Sequence, residues 1–289
     1  MIFFLQKGTI PMLSKTKQVL THATQNKYGV LAANTFNFET VKWAIKAAEL
    51  EKMPIVIQFY PGFNNFIPQE FIAHMAIKLA KKAAVPVAVH LDHSVNFDIA
   101  ISGVRNGFPS IMVDGSSLPY EDNVALTAAV VRAARVFDVD VEAELGRVGS
   151  GNNVGDITNT DNFTNVEQAC DFVARTGCDA LAIAVGNAHG PYVQTPALDF
   201  DRIRALRAAL DIPLVLHGSS DIPDEQMQET VRLGISKYNL ATEYFRAYAA
   251  SLAACDAQDA YAIANNIEEP VIEFLRSKIR LLNPNGYVL

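Results

Sequence analysis

Gly29-Val30-Leu31-Ala32-Ala33-Asn34-Thr35-Phe36-Asn37 is an apolar run that breaks into polar residues just before a helical pattern starts at Glu39. The break decides the architecture. A doubly wound open sheet carries a GxGxxG fingerprint after its first strand, where the backbone must approach a pyrophosphate. Ala33-Asn34-Thr35-Phe36-Asn37 contains no glycine. That places the closed (β/α)8 barrel ahead of the open sheet.

Outward from this stretch the same theme repeats. Apolar runs lie near residues 29–33, 54–59, 85–91, 110–113, 139–145, 180–185, 213–216 and 235–240, with helical patterns between them such as 39–51, 68–83, 123–137, 166–175 and 224–233. Apolar strands alternating with amphipathic helices indicate a parallel sheet covered by helices. Eight βα units of roughly 30 residues each suit an α/β protein with the TIM-barrel fold.

Composition narrows the partners. Of 289 residues, 50% are hydrophobic and 19% charged, enough apolar material for a large core. A formal net charge of -7 opposes a nucleic-acid or anionic-membrane footprint, so the expected partner is a small molecule. Cys170, Cys178 and Cys255 are an odd number at wide spacing, without a CxxC pair, which fits a reducing cytoplasm. The apolar stretch from Ile2 to Leu5 is too short for a signal-peptide core or a membrane span, so residues 1–12 read as a loose extension. With no linker or low-complexity tract after it, 1–289 reads as one barrel domain.

In such a barrel the chemistry sits where strands end, and those ends are polar here. Asn34 follows the first run, Gln58 lies on the second, Asp92 and His93 follow the third, and Asp114 follows the fourth. Glu142 and Glu144 lie on the fifth, His189 follows the sixth, His217 ends the seventh and Asn239 ends the eighth. A lone buried histidine is usually a satisfied core residue. Three at one mouth instead suggest a catalytic zinc site, with three imidazoles fixed and a fourth position open. The HxH pair common to barrel zinc hydrolases is missing from the first strand, where Asn34 and Asn37 stand.

Phosphate has its own signal. Barrel enzymes often hold it between the loops after strands seven and eight. His217-Gly218-Ser219-Ser220 offers a small-residue turn before a helix from Pro223, and Asn239-Leu240-Ala241-Thr242 leads into another helix start. Helix N-termini favour anions through free N–H groups and the macrodipole. Ordinary turns and caps are the competing explanation for Ser219, Ser220 and Thr242.

Five motifs, His90-Leu91-Asp92-His93, Met112-Val113-Asp114-Gly115-Ser116, Val141-Glu142-Ala143-Glu144-Leu145-Gly146, Gly186-Asn187-Ala188-His189-Gly190 and Val215-Leu216-His217-Gly218, resemble the class II, zinc-dependent fructose-bisphosphate and tagatose-bisphosphate aldolases in order and spacing. The resemblance runs from about Leu13 to the end of the eighth unit, and Ser219-Ser220-Asp221 leans to the tagatose branch. It implies that His93, His189 and His217 hold Zn2+, with Glu144 and Asp114 beside the metal or as alternate ligands. It makes Asp92 the group that exchanges a proton with the oxygen at the broken bond, and puts Asn34, Gly190, Gly218, Ser220, Asn239 and Thr242 around the substrate and its phosphate. It further implies a homodimer or homotetramer, a monovalent cation (Na+ or K+) near the phosphate, and electron withdrawal by zinc in place of a lysine Schiff base.

Two stretches depart from the family pattern. Where its members carry acidic residues on a mobile loop, one of them the base for the carbon-bound proton of dihydroxyacetone phosphate, this chain reads Ser150-Gly151-Asn152-Asn153. Asp156 is the nearest acidic substitute. Tyr60-Pro61 stands where the family tends to have a small hydroxyl residue, which would shorten the substrate pocket. The leading expectation is cleavage or formation of a phosphorylated ketose, such as tagatose or fructose 1,6-bisphosphate, with dihydroxyacetone phosphate as one product. A zinc aldolase for a different aldehyde fragment, and a catalytically impaired zinc and sugar-phosphate binding protein, are the alternatives.

Overall fold

The computed structural model describes residues 11–289. Its central sheet has eight barrel strands: β1 (Val30–Asn34), β2 (Ile55–Phe59), β3 (Val87–Ser94), β4 (Ser110–Val113), β5 (Asp140–Leu145), β6 (Ala180–Ile183), β7 (Leu214–Leu216) and β8 (Ile235–Leu240). Each pairs in parallel with the next. β8 then pairs with β1, Lys237 beside Val30 through Leu240 beside Ala33, and the ring closes. The (β/α)8 barrel expected from the alternation of runs is the observed fold.

The polar break after β1 turns out to be a helix start. Asn37 accepts a hydrogen bond from the Thr40 N–H at 2.9 Å, and the Thr40 hydroxyl accepts from the Asn37 N–H at 3.2 Å, a reciprocal capping box that opens helix Phe38–Glu51. Asn96 and Asn165 cap the helices Phe97–Arg105 and Val166–Thr176 in the same way on one side. Two helices follow β8. The longer, Ala260–Leu281, buries Ile267, Val271, Leu275 and Ile279 and ties to helix Phe38–Glu51 through Lys42–Glu268 and Arg276–Glu51, each at 2.7 Å. Among the described residues no helix is long and apolar enough to cross a membrane.

Helix Thr16–Asn26 crosses the end of the barrel where the strands begin. Its Lys17 N–H donates to Asp140 at 2.8 Å, and Thr24 meets Ser236. Of the expected extension, residues 1–10 lie outside the described residues. The Met12 carbonyl accepts from the Val87 N–H at 2.7 Å, and Leu13–Ser14 adds a short strand to the start of β3.

The barrel interior is partly ionic, where aliphatic layers would be usual. Lys237 and Glu142 are fully buried, with the Lys237 Nζ 3.0 and 2.9 Å from the two Glu142 carboxylate oxygens. His90 stands 3.8 Å from the same carboxylate, and its Nδ1 lies 2.7 Å from the Ser110 hydroxyl. Burial works against ionisation of Glu142, but Lys237 and His217 outweigh it and hold the carboxyl well below its usual range. His90 is pushed down to about 3 by burial and by Lys237, so it is neutral.

A buried ion pair adds little net stability, whereas breaking one is costly because the remaining charge has no partner. Lys237→Met is therefore expected to lower the unfolding free energy by about 3–5 kcal/mol, and the double variant Lys237→Met/Glu142→Gln to recover a large part of that loss. Urea unfolding of the two variants checks it; equal losses would mean that the pair does not couple.

Candidate active site

The strand C-terminal ends surround a cavity of about 440 Å3. Ten of the residues expected to bind metal or substrate or to act on it line it: Asn34, Asp92, His93, Asp114, His189, Gly190, Gly218, Ser220, Asn239 and Thr242. Glu144 lies behind this wall, buried against His217, and Asp156 is outside the lining. Tyr60, Phe63, Val95, Val148 and Ala241 complete the lining.

Asp92 and His93 are consecutive, and on a regular strand they would face opposite ways. Here the register of β3 against β4 slips between Leu91 and Ser94, and His93 adopts a left-handed backbone with φ 43°. The irregularity re-aims the side chains, so both reach the cavity. A histidine in that conformation costs roughly 1–3 kcal/mol, strain typical of functional sites.

Asp92 is 3% exposed and accepts from three amides: Asn34 at 3.0 Å, Gln58 at 3.3 Å and Asn239 at 3.1 Å. Gln58 also donates to Asn34 Oδ1 at 2.7 Å, which fixes that amide. Burial opposes ionisation of Asp92, but the charge on His93 and Lys237 overcomes it, and its carboxyl lies below the ordinary value.

The three histidine rings converge. Ring centroids are 4.6 Å apart for His93 and His217, 4.8 Å for His93 and His189, and 5.7 Å for His189 and His217. One ligand atom from each lies within 4.8 Å of the others, and His93, Asp114 and Glu144 satisfy the same condition. His217 Nε2 is 2.9 Å from Glu142 Oε1, and its Nδ1 lies 3.1 Å from Glu144 Oε2 without the alignment of a hydrogen bond. His217 Nδ1, Glu144 Oε2 and His189 Nε2 are thus buried and unsatisfied together, as atoms facing a cation would be. His189 is pushed down to about 3 by burial and by the other two rings. His217 is pushed up to about 10, because Glu142 and Glu144 outweigh its burial. His93 Nδ1 sits 3.2 Å from Asp114 Oδ2.

Two residues to which the sequence assigned no role, Tyr192 and Asn187, hold the loops of His189 and His217 together. Tyr192 accepts from the Ala188 N–H at 2.7 Å and donates to the Gly218 carbonyl at 2.9 Å, while the Asn187 amide donates to the His217 carbonyl at 3.0 Å. Tyr192 carries no local signal, and Asn187 stands in the Gly186–Gly190 motif without a sign of its partner. Lys237 could have been suspected, since a lysine inside an apolar strand needs a buried partner.

Opposite β3, the ends of β7 and β8 form a small concave turn. Ser219 donates to the Asn239 carbonyl at 2.6 Å and so joins the two loops. Helix Thr242–Ala253 starts after Ala241, which has no polar side chain to cap it, and the Ser220 hydroxyl accepts from its Glu243 N–H at 3.3 Å. Helix-start N–H groups beside glycine and hydroxyls can take an anion.

The loop after β5 is zipped to the loop after β6. Gly149–Ser150 pairs in parallel with Ala188–His189, and the Gly151 N–H donates to the His189 carbonyl at 2.8 Å. Asn153 caps helix Val154–Thr158, Asn152 is exposed, and Asp156 accepts from the Ser150 N–H at 2.9 Å. Asp156 is therefore near the site in sequence but engaged with the ribbon.

Comparisons with known proteins bear on this arrangement. The sequence profile of the fructose-bisphosphate aldolase class-II family matches residues 14–287. The chain is similar to the YdjI aldolase from Escherichia coli K12, with 34% identity, a TM-score of 0.86, and 95% of this chain and 98% of that one covered. A structure from Coccidioides immitis assigned as a fructose-1,6-bisphosphate aldolase is 25% identical, with a TM-score of 0.84 over 94% of this chain and 98% of that one. The fructose-bisphosphate aldolase from Campylobacter jejuni shares the fold at 22% identity, with a TM-score of 0.78 over 92% and 93%.

The turn at Gly218 is the tightest point of the site. Its φ is +61°, and a Cβ there would lie 2.0 Å from the Ala188 carbonyl oxygen. Gly190 also has positive φ, but a Cβ there meets nothing within 4 Å. Gly190→Ala should then cost about 1–2 kcal/mol for backbone conformation alone. Gly218→Ala should cost distinctly more, because the backbone must shift as well. Thermal unfolding of the two variants tests the ordering; an equal loss would contradict the clash.

Proposed function

We propose, from the premise that this chain belongs to the class II fructose-bisphosphate aldolase family and is a carbon–carbon lyase, that it cleaves a phosphorylated ketose and releases dihydroxyacetone phosphate. One observation carries the reading: buried, unsatisfied imidazole and carboxylate atoms converge beside Asp92, across from a helix start whose N-cap residue, Ala241, supplies no side-chain cap. The donor set suits zinc. His93, His189 and His217 would hold the ion, with Glu144 and Asp114 near enough to orient or replace a ligand. Bound there, zinc would supply a Lewis acid for the ketose oxygens.

The protein's own groups do the rest. Glu142 accepts from His217 Nε2 and fixes the ring, which leaves Nδ1 for the metal. The Gly218 turn, Ser220, Thr242 and Gly190 would receive the 1-phosphate. Asp92 takes the hydroxyl proton during cleavage and returns it during condensation. A carboxylate offers about four lone-pair directions, and three amides occupy three of them, so one remains for the substrate hydroxyl.

Metal content and chemistry should separate in two variants. Wild type is expected to hold zinc at the three histidines and to lose activity on chelation. His189→Ala should lose the metal, while Asp92→Asn should retain it and cleave about 100- to 10,000-fold more slowly. Elemental analysis with a dihydroxyacetone phosphate release assay decides this; undiminished zinc in His189→Ala would refute the ligand assignment.

The loop after β5 concerns a different proton. Asn152 cannot act as a base, and Asp156 is held by Ser150. Hydrogen exchange at the carbon of dihydroxyacetone phosphate is accordingly expected to be slow in wild type and to rise by about 100-fold or more in Asn152→Glu. Deuterium uptake followed by NMR measures it. Fast exchange in wild type that disappears in Asp156→Asn would transfer the role to Asp156.

A further inference from the structure

The mouth of the barrel has two unlike sides, and ring order sets them apart. Gly190, Gly218, Ser220 and Thr242 come from the ends of β6, β7 and β8. Tyr60, Val95 and Asp114 come from the ends of β2, β3 and β4, across the ring. With the 1-phosphate on the first side and the breaking bond at Asp92, the aldehyde half of the ketose must extend towards the second.

That second side is aromatic and acidic. The Tyr60 ring meets Phe63 edge-on at 5.4 Å and His93 at 6.4 Å. Phe63 is itself wedged against Phe36, Phe59 and Phe245, so the wall has a packed backing. Tyr60 is 41% and Val95 59% exposed, apolar surface that a bound fragment would cover. Among the described residues no lysine or arginine lines the cavity. Arg246 and Lys278, on the helices after β8, are paired with Asp221 and Glu243.

A phosphate dianion against this wall would lose water, gain no cation and lie near aromatic faces and the Asp114 carboxylate. An uncharged hydroxyalkyl fragment would gain apolar contact and could use the Tyr60 hydroxyl. We propose that the substrate is a ketose 1-phosphate whose aldehyde fragment carries no phosphate, and that Tyr60 is a residue that sets this selectivity. The inference rests on placing dihydroxyacetone phosphate in the cradle of the preceding section. In condensation the bond forms between the dihydroxyacetone phosphate carbon and the aldehyde carbon; the proton lost from the first is balanced by one gained at the aldehyde oxygen.

The test uses zinc-loaded full-length protein, with dihydroxyacetone phosphate binding measured by calorimetry and condensation measured with each aldehyde. D- and L-glyceraldehyde and lactaldehyde are compared with glyceraldehyde 3-phosphate. We expect kcat/KM for the best uncharged aldehyde to exceed that for glyceraldehyde 3-phosphate by about tenfold or more, and Tyr60→Arg, which puts a cation on the wall, to shrink or reverse the ratio. Preference of wild type for glyceraldehyde 3-phosphate would overturn the inference alone and leave the cradle assignment standing. Proton loss from dihydroxyacetone phosphate is common to every aldehyde, so slow exchange lowers all rates alike and leaves their ratio unchanged. Condensation of glyceraldehyde 3-phosphate but of no uncharged aldehyde, in wild type or in Asn152→Glu, would overturn it too. No binding of dihydroxyacetone phosphate would overturn the cradle assignment, and this inference with it.

Discussion

Four paired positions, from Lys237 beside Val30 to Leu240 beside Ala33, turn a twisted parallel sheet into a ring. Everything functional depends on that closure. Asn34 at the end of β1 and Asn239 on β8 are neighbours only because the first and last strands are hydrogen-bonded, and both donate to Asp92 from β3. An open sheet would leave these residues at opposite edges. Strands buried on both faces, with helices capped by Asn37, Asn96 and Asn165, give the ring a rigid outer layer.

Inside the ring, charge is arranged in depth. Lys237 fixes Glu142 as a carboxylate, Glu142 fixes the His217 ring, and the far nitrogen of that ring is left unsatisfied beside Glu144 and His189. A hydrophobic floor would cost less desolvation but could not set the orientation of a histidine. Rigid support of this sort matters because a misplacement of about 1 Å can cost a factor of about 100 in rate. Tyr192 and Asn187 extend the same control to the loops by bridging the His189 and His217 segments.

The mouth then divides its labour by chemistry. Small residues and the start of helix Thr242–Ala253 at the ends of β7 and β8 suit a compact anion. The aromatic wall at the ends of β2 and β3 suits a fragment without charge. The ribbon joining Gly149–Ser150 to Ala188–His189 lies between the loops after β5 and β6, and ties the segment of Asn152 and Asn153 to a histidine. A change in that loop is therefore felt next to His189 even though Asn152 itself is exposed.

Much of this was legible in the sequence. Local pattern determined that apolar runs alternate with helices, and eight such units leave few topologies other than the barrel. Strand-end position then singled out Asp92, His93, His189, His217 and Asn239, because in a barrel all strand ends share one face. What local pattern cannot encode is contact between distant residues. The slipped register that turns both Asp92 and His93 inward, the burial of Lys237 against Glu142, and the engagement of Asp156 by Ser150 each depend on partners brought together by the closed ring. The amino-acid sequence by itself determined the fold class and the chemical types of groups at the rim, through periodicity and position. Only the tertiary structure decided which of those groups face one another, since that is set by register, strand closure and the balance of buried charge.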